Sequence, residues 1–306
     1  MNFPADDLPE NPEAVQEVTS PVNDLASGLQ VDIGPAIPTD PFWWDIFVLV
    51  LLTVLSALLL LISVSGTVLI AKRWVYPHLS ALETGSVPLV LISAEAAWYV
   101  LVLACMYLLV TRVQHCSHFL AAIRWHWPSK SPVYVFAGIC LAVALQGLAH
   151  LLPIPKNLPI DNMFRTPAEA WVLSIFSITL APLMEELYFR GFLYPVLARY
   201  LEMASAFLLE HCVGMEDTVD PSRNTAMSAA ILLTAAPFAL LHGAQLGFAW
   251  GPVLVIFLVG VVLTTVRART NSVAAGVLIH MAYNGTISVA MFFATNGFRH
   301  LEKLNQ

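Results

Sequence analysis

Long apolar runs separated by short polar breaks dominate this chain. A helix needs about 20 apolar residues to cross the hydrocarbon core of a bilayer. The runs Trp43–Ala71, Val87–Val110 and Val133–Leu152 each reach that length. The first is framed by a Trp43-Trp44 interfacial anchor and a Lys72-Arg73 stop. Pro153, Pro155 and Pro159 then break the chain into a loop. Pro167 fits the first turn of a fourth helix that runs through Trp171 toward Leu208. That is too long for one straight span, and Pro182 is expected to kink or break it inside the apolar region. After a polar loop over residues 211–223 (Cys212, Gly214, Glu216, Asp217, Asp220, Pro221), three more spans are expected at Thr225–His242, Pro252–Val266 and Ser272–Phe293. The very short loop Arg267–Asn271 makes the last two antiparallel neighbours. The pattern predicts an all-α fold, a polytopic transmembrane helix bundle of about seven spans.

Composition agrees with that reading. Of 306 residues, 58% are hydrophobic and 11% charged, against roughly 25% charged in soluble domains. So few charges cannot cover a water-facing surface, and the chain reads as an integral membrane protein. The formal net charge of -7 gathers at the front. Asp6, Asp7, Glu10, Glu13, Glu17, Asp24, Asp32 and Asp40 precede the first span, and no Lys or Arg occurs before Lys72. This start lacks the basic opening and early apolar core of a secretory signal. It predicts a disordered acidic, Pro-rich tail over residues 1–41, with the first apolar run retained as a span.

The remaining divisions are N-terminal spans over 42–166, a membrane core over 167–293 and a C-terminal tail over 294–306. No basic cluster points to nucleic acid. Cys105, Cys116, Cys140 and Cys212 lack CxxC spacing, and read as small hydrophobes rather than disulfides or zinc ligands. Lys72-Arg73 fall on one side and Arg112, Arg124 and Lys130 on the other, so the positive-inside rule does not fix the orientation.

Three polar positions interrupt the later apolar segments, where ionisable side chains are costly and mark function by default. In Ala181-Pro182-Leu183-Met184-Glu185-Glu186-Leu187-Tyr188-Phe189-Arg190-Gly191, Glu186 and Arg190 are an i,i+4 pair on one helical face. Glu185 is turned about 100° away. One carboxylate is thus neutralised by the arginine, while its neighbour is left to act as a general base. His242 closes Pro237-Phe238-Ala239-Leu240-Leu241-His242-Gly243, with Phe238 one turn earlier to pack on the imidazole. His280 and Asn284 share a face of the last span, and Gly276 on that face lets another helix approach closely.

A carboxylate, two histidines and an asparagine predict hydrolysis by activated water. Glu185 takes the proton, His242 shares or orients the water, and His280 with Asn284 stabilise an oxyanion. The chain carries no G-x-S-G serine setting, no H-E-x-x-H zinc helix and no G-x-G-D aspartyl motif. Glu185, His242 and His280 also match a catalytic zinc site in ligand type, so metal-activated and glutamate-activated water share the same residues. Glu95 in the second span and His150 at the end of the third either face the cavity or make packing contacts, and packing is the preferred reading for both. Two other classes compete with an enzyme. One is a non-enzymatic membrane scaffold or bacteriocin-immunity-type protein on the same fold. The other is a proton-coupled transporter, which the absence of a visible repeat disfavours.

E-E-x-x-x-R at Glu185–Arg190, F-x-x-x-H at Phe238–His242 and H-x-x-x-N at His280–Asn284 resemble the three motifs of the CPBP family. These are the CAAX proteases and bacteriocin-processing intramembrane endopeptidases, also called Abi proteins. The likeness runs from Pro167 to Phe293. It implies a helical membrane bundle with a cavity open toward the cytosolic side. It also implies Glu185 and His242 as water activators, His280 and Asn284 as the oxyanion site, and Glu186, Arg190 and Phe238 in support. The family has been described both as metalloproteases and as glutamate-dependent proteases. The motif context is closer to bacterial members, for which prenylated substrates are not expected, and implies the bacterial plasma membrane. The partners implied are the lipid bilayer and a protein or peptide substrate.

Overall fold

In lipid every backbone N–H and C=O must be satisfied within its own segment, so apolar runs of this length become helices. The structure, a computed structural model, describes residues 44–113, 118–155, 157–208 and 219–305. The acidic tail expected over 1–41, Trp43 of the interfacial anchor, Cys116, and residues 211–218 of the polar loop, Cys212 included, lie outside them. The long helices are α1 (Trp44–Trp74), α2 (Pro88–Leu108) and α3 (Ser131–Ala149). Helices α4 (Pro167–Ile178), α5 (Leu180–Glu186) and α6 (Tyr194–Leu208) follow as segments of the fourth apolar stretch. Helices α7 (Val219–Leu241), α8 (Trp250–Thr270) and α9 (Val273–Ala294) complete the bundle. Among the described residues there is no strand, and seven helical stretches are long and apolar enough to cross a membrane. Helix α7 starts at Val219, inside the stretch expected to be loop.

The fourth span is broken, three residues earlier than its proline. Thr179 leaves helical geometry (φ -112°, ψ -77°), and Pro182 sits in the first turn of α5. A proline ring collides with the carbonyl four residues before it, and its nitrogen donates no hydrogen bond. For Pro182 that carbonyl belongs to Ile178, so the helix yields at 178–179 rather than at the proline itself. Glu185 and Glu186 end α5, and the chain continues as a π-helical stretch over Leu187–Leu193. Such wide turns recur at functional sites because they re-aim the side chains beside them.

Helix α9 is the centre of the bundle, touching α3, α4, α5 and α8. Its closest neighbour is α3, where Gly138 lies against the Ile279 carbonyl and the Ala282 methyl. A Cβ at 138 would collide with that carbonyl, so glycine is what lets α3 seat beside His280. Helix α7 lies between α6 and α8, and α1 pairs with α2. The α8–α9 turn is shorter than expected. Helix α8 extends to Thr270, Asn271 takes the left-handed conformation (φ 51°), and Ser272 caps α9 by accepting the Ala275 N–H. Beyond α9 the chain folds back, burying Phe298 edge-on against Trp171 and Phe292.

Candidate active site

Adjacent in sequence, Glu185 and Glu186 face different surroundings. The Glu186 side chain has no exposure and neither has that of Arg190. Arg190 Nη1 donates to Glu186 Oε1 at 2.9 Å, Nη2 to the Gly260 carbonyl at 3.1 Å and Nε to Thr264 Oγ1 at 3.2 Å. Its guanidinium also lies 4.6 Å from the centroid of Phe238. Pairing and hydrogen bonds on every side are what a buried charge requires. Arg267 Nε donates to the Arg190 carbonyl at 3.0 Å, fixing the π-helical stretch to α8. Glu186 Oε1 also accepts from His280 Nδ1 at 3.0 Å. Its Oε2 is buried with no hydrogen-bond partner and lies over Gly276, where a Cβ would come within 2.6 Å of it. Gly276 thus admits a carboxylate rather than a helix backbone.

The Glu185 side chain is 16% exposed and carries no such cage. His242 Nε2 stands 3.9 Å from its Oε1, and His280 Nε2 stands 3.7 Å from its Oε2. These separations exceed a direct hydrogen bond. Each imidazole is oriented from behind. His242 Nδ1 contacts the Phe238 carbonyl at 2.8 Å, which fixes the hydrogen on Nδ1 and turns a bare Nε2 toward Glu185. His280 Nδ1 is engaged by Glu186. The Phe238 ring packs on both, with centroids 5.0 Å from His242 and 5.9 Å from His280. Three segments distant in sequence therefore bring one carboxylate between two imidazole nitrogens.

Zinc can be tested against this arrangement. Donors about 2.0–2.1 Å from a tetrahedral ion stand roughly 3.3 Å apart. Here the separations are 3.7 and 3.9 Å, to different oxygens of Glu185. Among the described residues no three His, Cys, Asp or Glu side chains gather closely enough to hold a metal ion. As placed, the groups do not fit a bound metal.

Asn284 sits one turn after His280 on α9, half-buried, and its Nδ2 donates to the Ser177 carbonyl at 2.6 Å. In an unbroken helix that carbonyl would receive the Ala181 N–H. The asparagine therefore bonds to the break between α4 and α5, while its second N–H is left to other acceptors.

The structure also brings in residues that the motifs do not contain. Gly260 and Thr264 form a small-x-x-x-small face on α8, a pattern readable in sequence as a close helix contact. Glu95 needs a correction. Rather than a packing contact alone, it accepts from the Tyr99 hydroxyl at 3.2 Å. The readable signal is an i,i+4 acid–phenol pair inside an apolar span. His150, by contrast, is exposed at the end of α3.

The chain has no match among curated proteins or among solved structures. Residues 167–286 match the family model described as type II CAAX prenyl endopeptidase Rce1-like. That segment holds Glu185, Glu186, Arg190, Phe238, His242, His280 and Asn284 together. The match bears out the motif resemblance: in an integral membrane protein with seven helices long and apolar enough to cross a bilayer, residues 167–286 are similar to the Rce1-like CAAX endopeptidase family.

Proposed function

We propose that the protein hydrolyses a peptide bond in a membrane-associated, lipidated substrate of the C-a-a-X kind, with Glu185 as the general base. The observation that carries this is the Glu185 carboxylate set between the Nε2 atoms of His242 and His280. Gaps of this size suit a shared water better than direct contact. Glu185 removes a proton from that water while His242 Nε2 accepts its other hydrogen and aims the oxygen. The oxygen adds to the scissile carbonyl carbon, and the carbonyl electron pair moves onto the carbonyl oxygen. The second N–H of Asn284 donates to that oxyanion, and His280, its Nδ1–H on Glu186, donates from Nε2 in the doubly protonated form of its ring, so both donors come from side chains already held by Glu186 and Ser177. On collapse the C–N bond breaks, and the proton on Glu185 passes to the leaving amine. Glu186 and Arg190 take no part in bond making; they hold His280 and the π-helical stretch in place.

The test has two arms at matched expression. Purified wild type and Glu185→Gln are offered a farnesylated C-a-a-X peptide, and membranes carrying each are compared for new protein N-termini. The reading predicts three residues released from the peptide, or new termini in membranes, by wild type alone. Equal turnover by Glu185→Gln would overturn it.

A further inference from the structure

Away from the glutamates, an open groove of about 260 Å³ lies between α3 and α8, and none of the active-site residues line it. One wall runs along α8 from Val262 through Thr265 and Val266 to Arg269 and Thr270; Tyr134 of α3 stands on the other. From Val262 to Arg269 is about 10 Å at the rise of an α-helix. Polarity changes along that length. Toward the middle of the span the lining is apolar, because Val262 and Val266 dominate it. The Thr265 hydroxyl donates to the Val261 carbonyl at 2.7 Å and the Thr270 hydroxyl to the Val266 carbonyl at 2.8 Å. Neither threonine therefore offers a hydrogen to the groove.

The other end is cationic. Arg269 is exposed in the last turn of α8, and among the described residues no carboxylate or other acceptor meets its guanidinium. Arg267, two residues earlier, turns inward and spends its donors on the Arg190 carbonyl and Asn271 Oδ1. Tyr134 stands in the first turn of α3, and its hydroxyl also has no partner among the described residues. Lys130, exposed, lies one turn before it, where no side chain caps the first N–H groups of α3. The loop leading into α3 carries Trp125 and Trp127 edge to face at 5.6 Å, with Trp127 exposed. Tryptophans of this kind mark the headgroup level of a bilayer. An unpaired guanidinium and an unpaired phenol thus open, at that level, onto a valine-lined groove.

We propose that this groove is a binding site for an anionic phospholipid. One acyl chain lies along Val262 and Val266, and the headgroup phosphate accepts from Arg269 and the Tyr134 hydroxyl. A free anion would satisfy the guanidinium but leave the valines bare; an acyl chain alone would do the reverse. A phospholipid has the same polarity gradient as the groove. Two cations at the mouth, with no carboxylate in the lining, favour a headgroup of net negative charge over a zwitterionic one. The site also bears on the active centre. Gly260 and Thr264, each next in sequence to a groove residue, hold Arg190 from the inner side of α8. A seated lipid braces the outer side of the same turns.

The full chain, purified in detergent, is titrated with phosphatidylglycerol and with phosphatidylcholine of the same chain length, and bound lipid is counted by native mass spectrometry. A cation beside an anionic headgroup is worth about fivefold in affinity. Wild type is therefore expected to bind phosphatidylglycerol at least about fivefold more tightly than phosphatidylcholine. Arg269→Gln should lose that preference and keep its affinity for phosphatidylcholine. Val262→Trp, which fills the groove, should weaken both lipids. Arg73→Gln, which removes an exposed cation at the end of α1, should change neither. Equal affinity of wild type for the two lipids, a preference that survives Arg269→Gln, or an equal loss in Arg73→Gln overturns the site. Displacement of phosphatidylglycerol by glycerol phosphate at equal concentration would show a bare anion site and overturns it too. If Val262→Trp does not fold, Arg269→Gln, at an exposed position, decides.

Discussion

The two sides of the Glu185–Glu186 peptide show how one helix turn serves two ends. On the Glu186 side, a fully buried carboxylate, a guanidinium, a backbone carbonyl and a threonine hydroxyl form a closed network at 2.9–3.2 Å. On the Glu185 side, the carboxylate faces its imidazoles across 3.7 and 3.9 Å and stays partly exposed. The first arrangement is closed, because a charge away from water is tolerated only when paired and hydrogen-bonded. The second is left open, and an open carboxylate can receive a water and a substrate. His280 belongs to both, with Nδ1 on the closed side and Nε2 on the open one.

Substitutions on the two sides should therefore fail differently. The largest effect is expected from Glu185→Gln, which removes the base but leaves the Arg190–Glu186 pair intact. Turnover should fall by roughly 10²- to 10⁴-fold, the range for general base catalysis, with Tm unchanged; peptide cleavage and thermal unfolding on the same preparation check this. Arg190→Met should do the reverse. Stranding Glu186 as a buried charge costs about 3–5 kcal/mol, seen first as a lower Tm or failed insertion and only through that as lost activity. A variant that keeps its Tm would show that the closed network is not what holds this region.

Gly276→Ala puts a methyl group where Glu186 Oε2 now lies. Forced repacking of this kind costs about 1–3 kcal/mol, and the displaced carboxylate should drag His280 with it. Both Tm and kcat are expected to fall, which unfolding and kinetics on one sample would separate from a purely structural loss. The smallest effect is expected from Thr264→Val. It leaves Arg190 Nε without its acceptor at a cost of about 1 kcal/mol, with kcat nearly intact once the folded fraction is counted.

Much of this architecture is legible in the sequence. Seven spans follow from run length, and the Glu186–Arg190 pair from i,i+4 spacing. The meeting of Glu185, His242 and His280 follows from the cost of leaving each alone among apolar residues. A break in the fourth span follows from Pro182, but its place at Thr179 depends on which carbonyl the Pro182 ring meets. Glu95 escapes a sequence reading for a different reason. Helix α2 is apolar on most sides, so its sequence does not fix the rotation that turns Tyr99, with Glu95 bonded to it, toward Phe176 of α4. That rotation is set by Trp98 bonding to α1 and by Phe176 stacking on Tyr99.

Taken by itself, the sequence determined that the chain is a bundle of membrane-crossing helices and which polar residues are too costly there to be idle. Both are local consequences of transferring backbone and side chains out of water. Only the tertiary structure decided which glutamate is caged and which is open, where the proline's strain is released, and that a helix beyond the family segment stacks on α4. Those outcomes depend on helix rotation and on approaches of a few ångströms, such as Gly276 against Glu186 and Gly138 against the Ile279 carbonyl. Such contacts arise between residues far apart in the chain, and no spacing within a single segment encodes them.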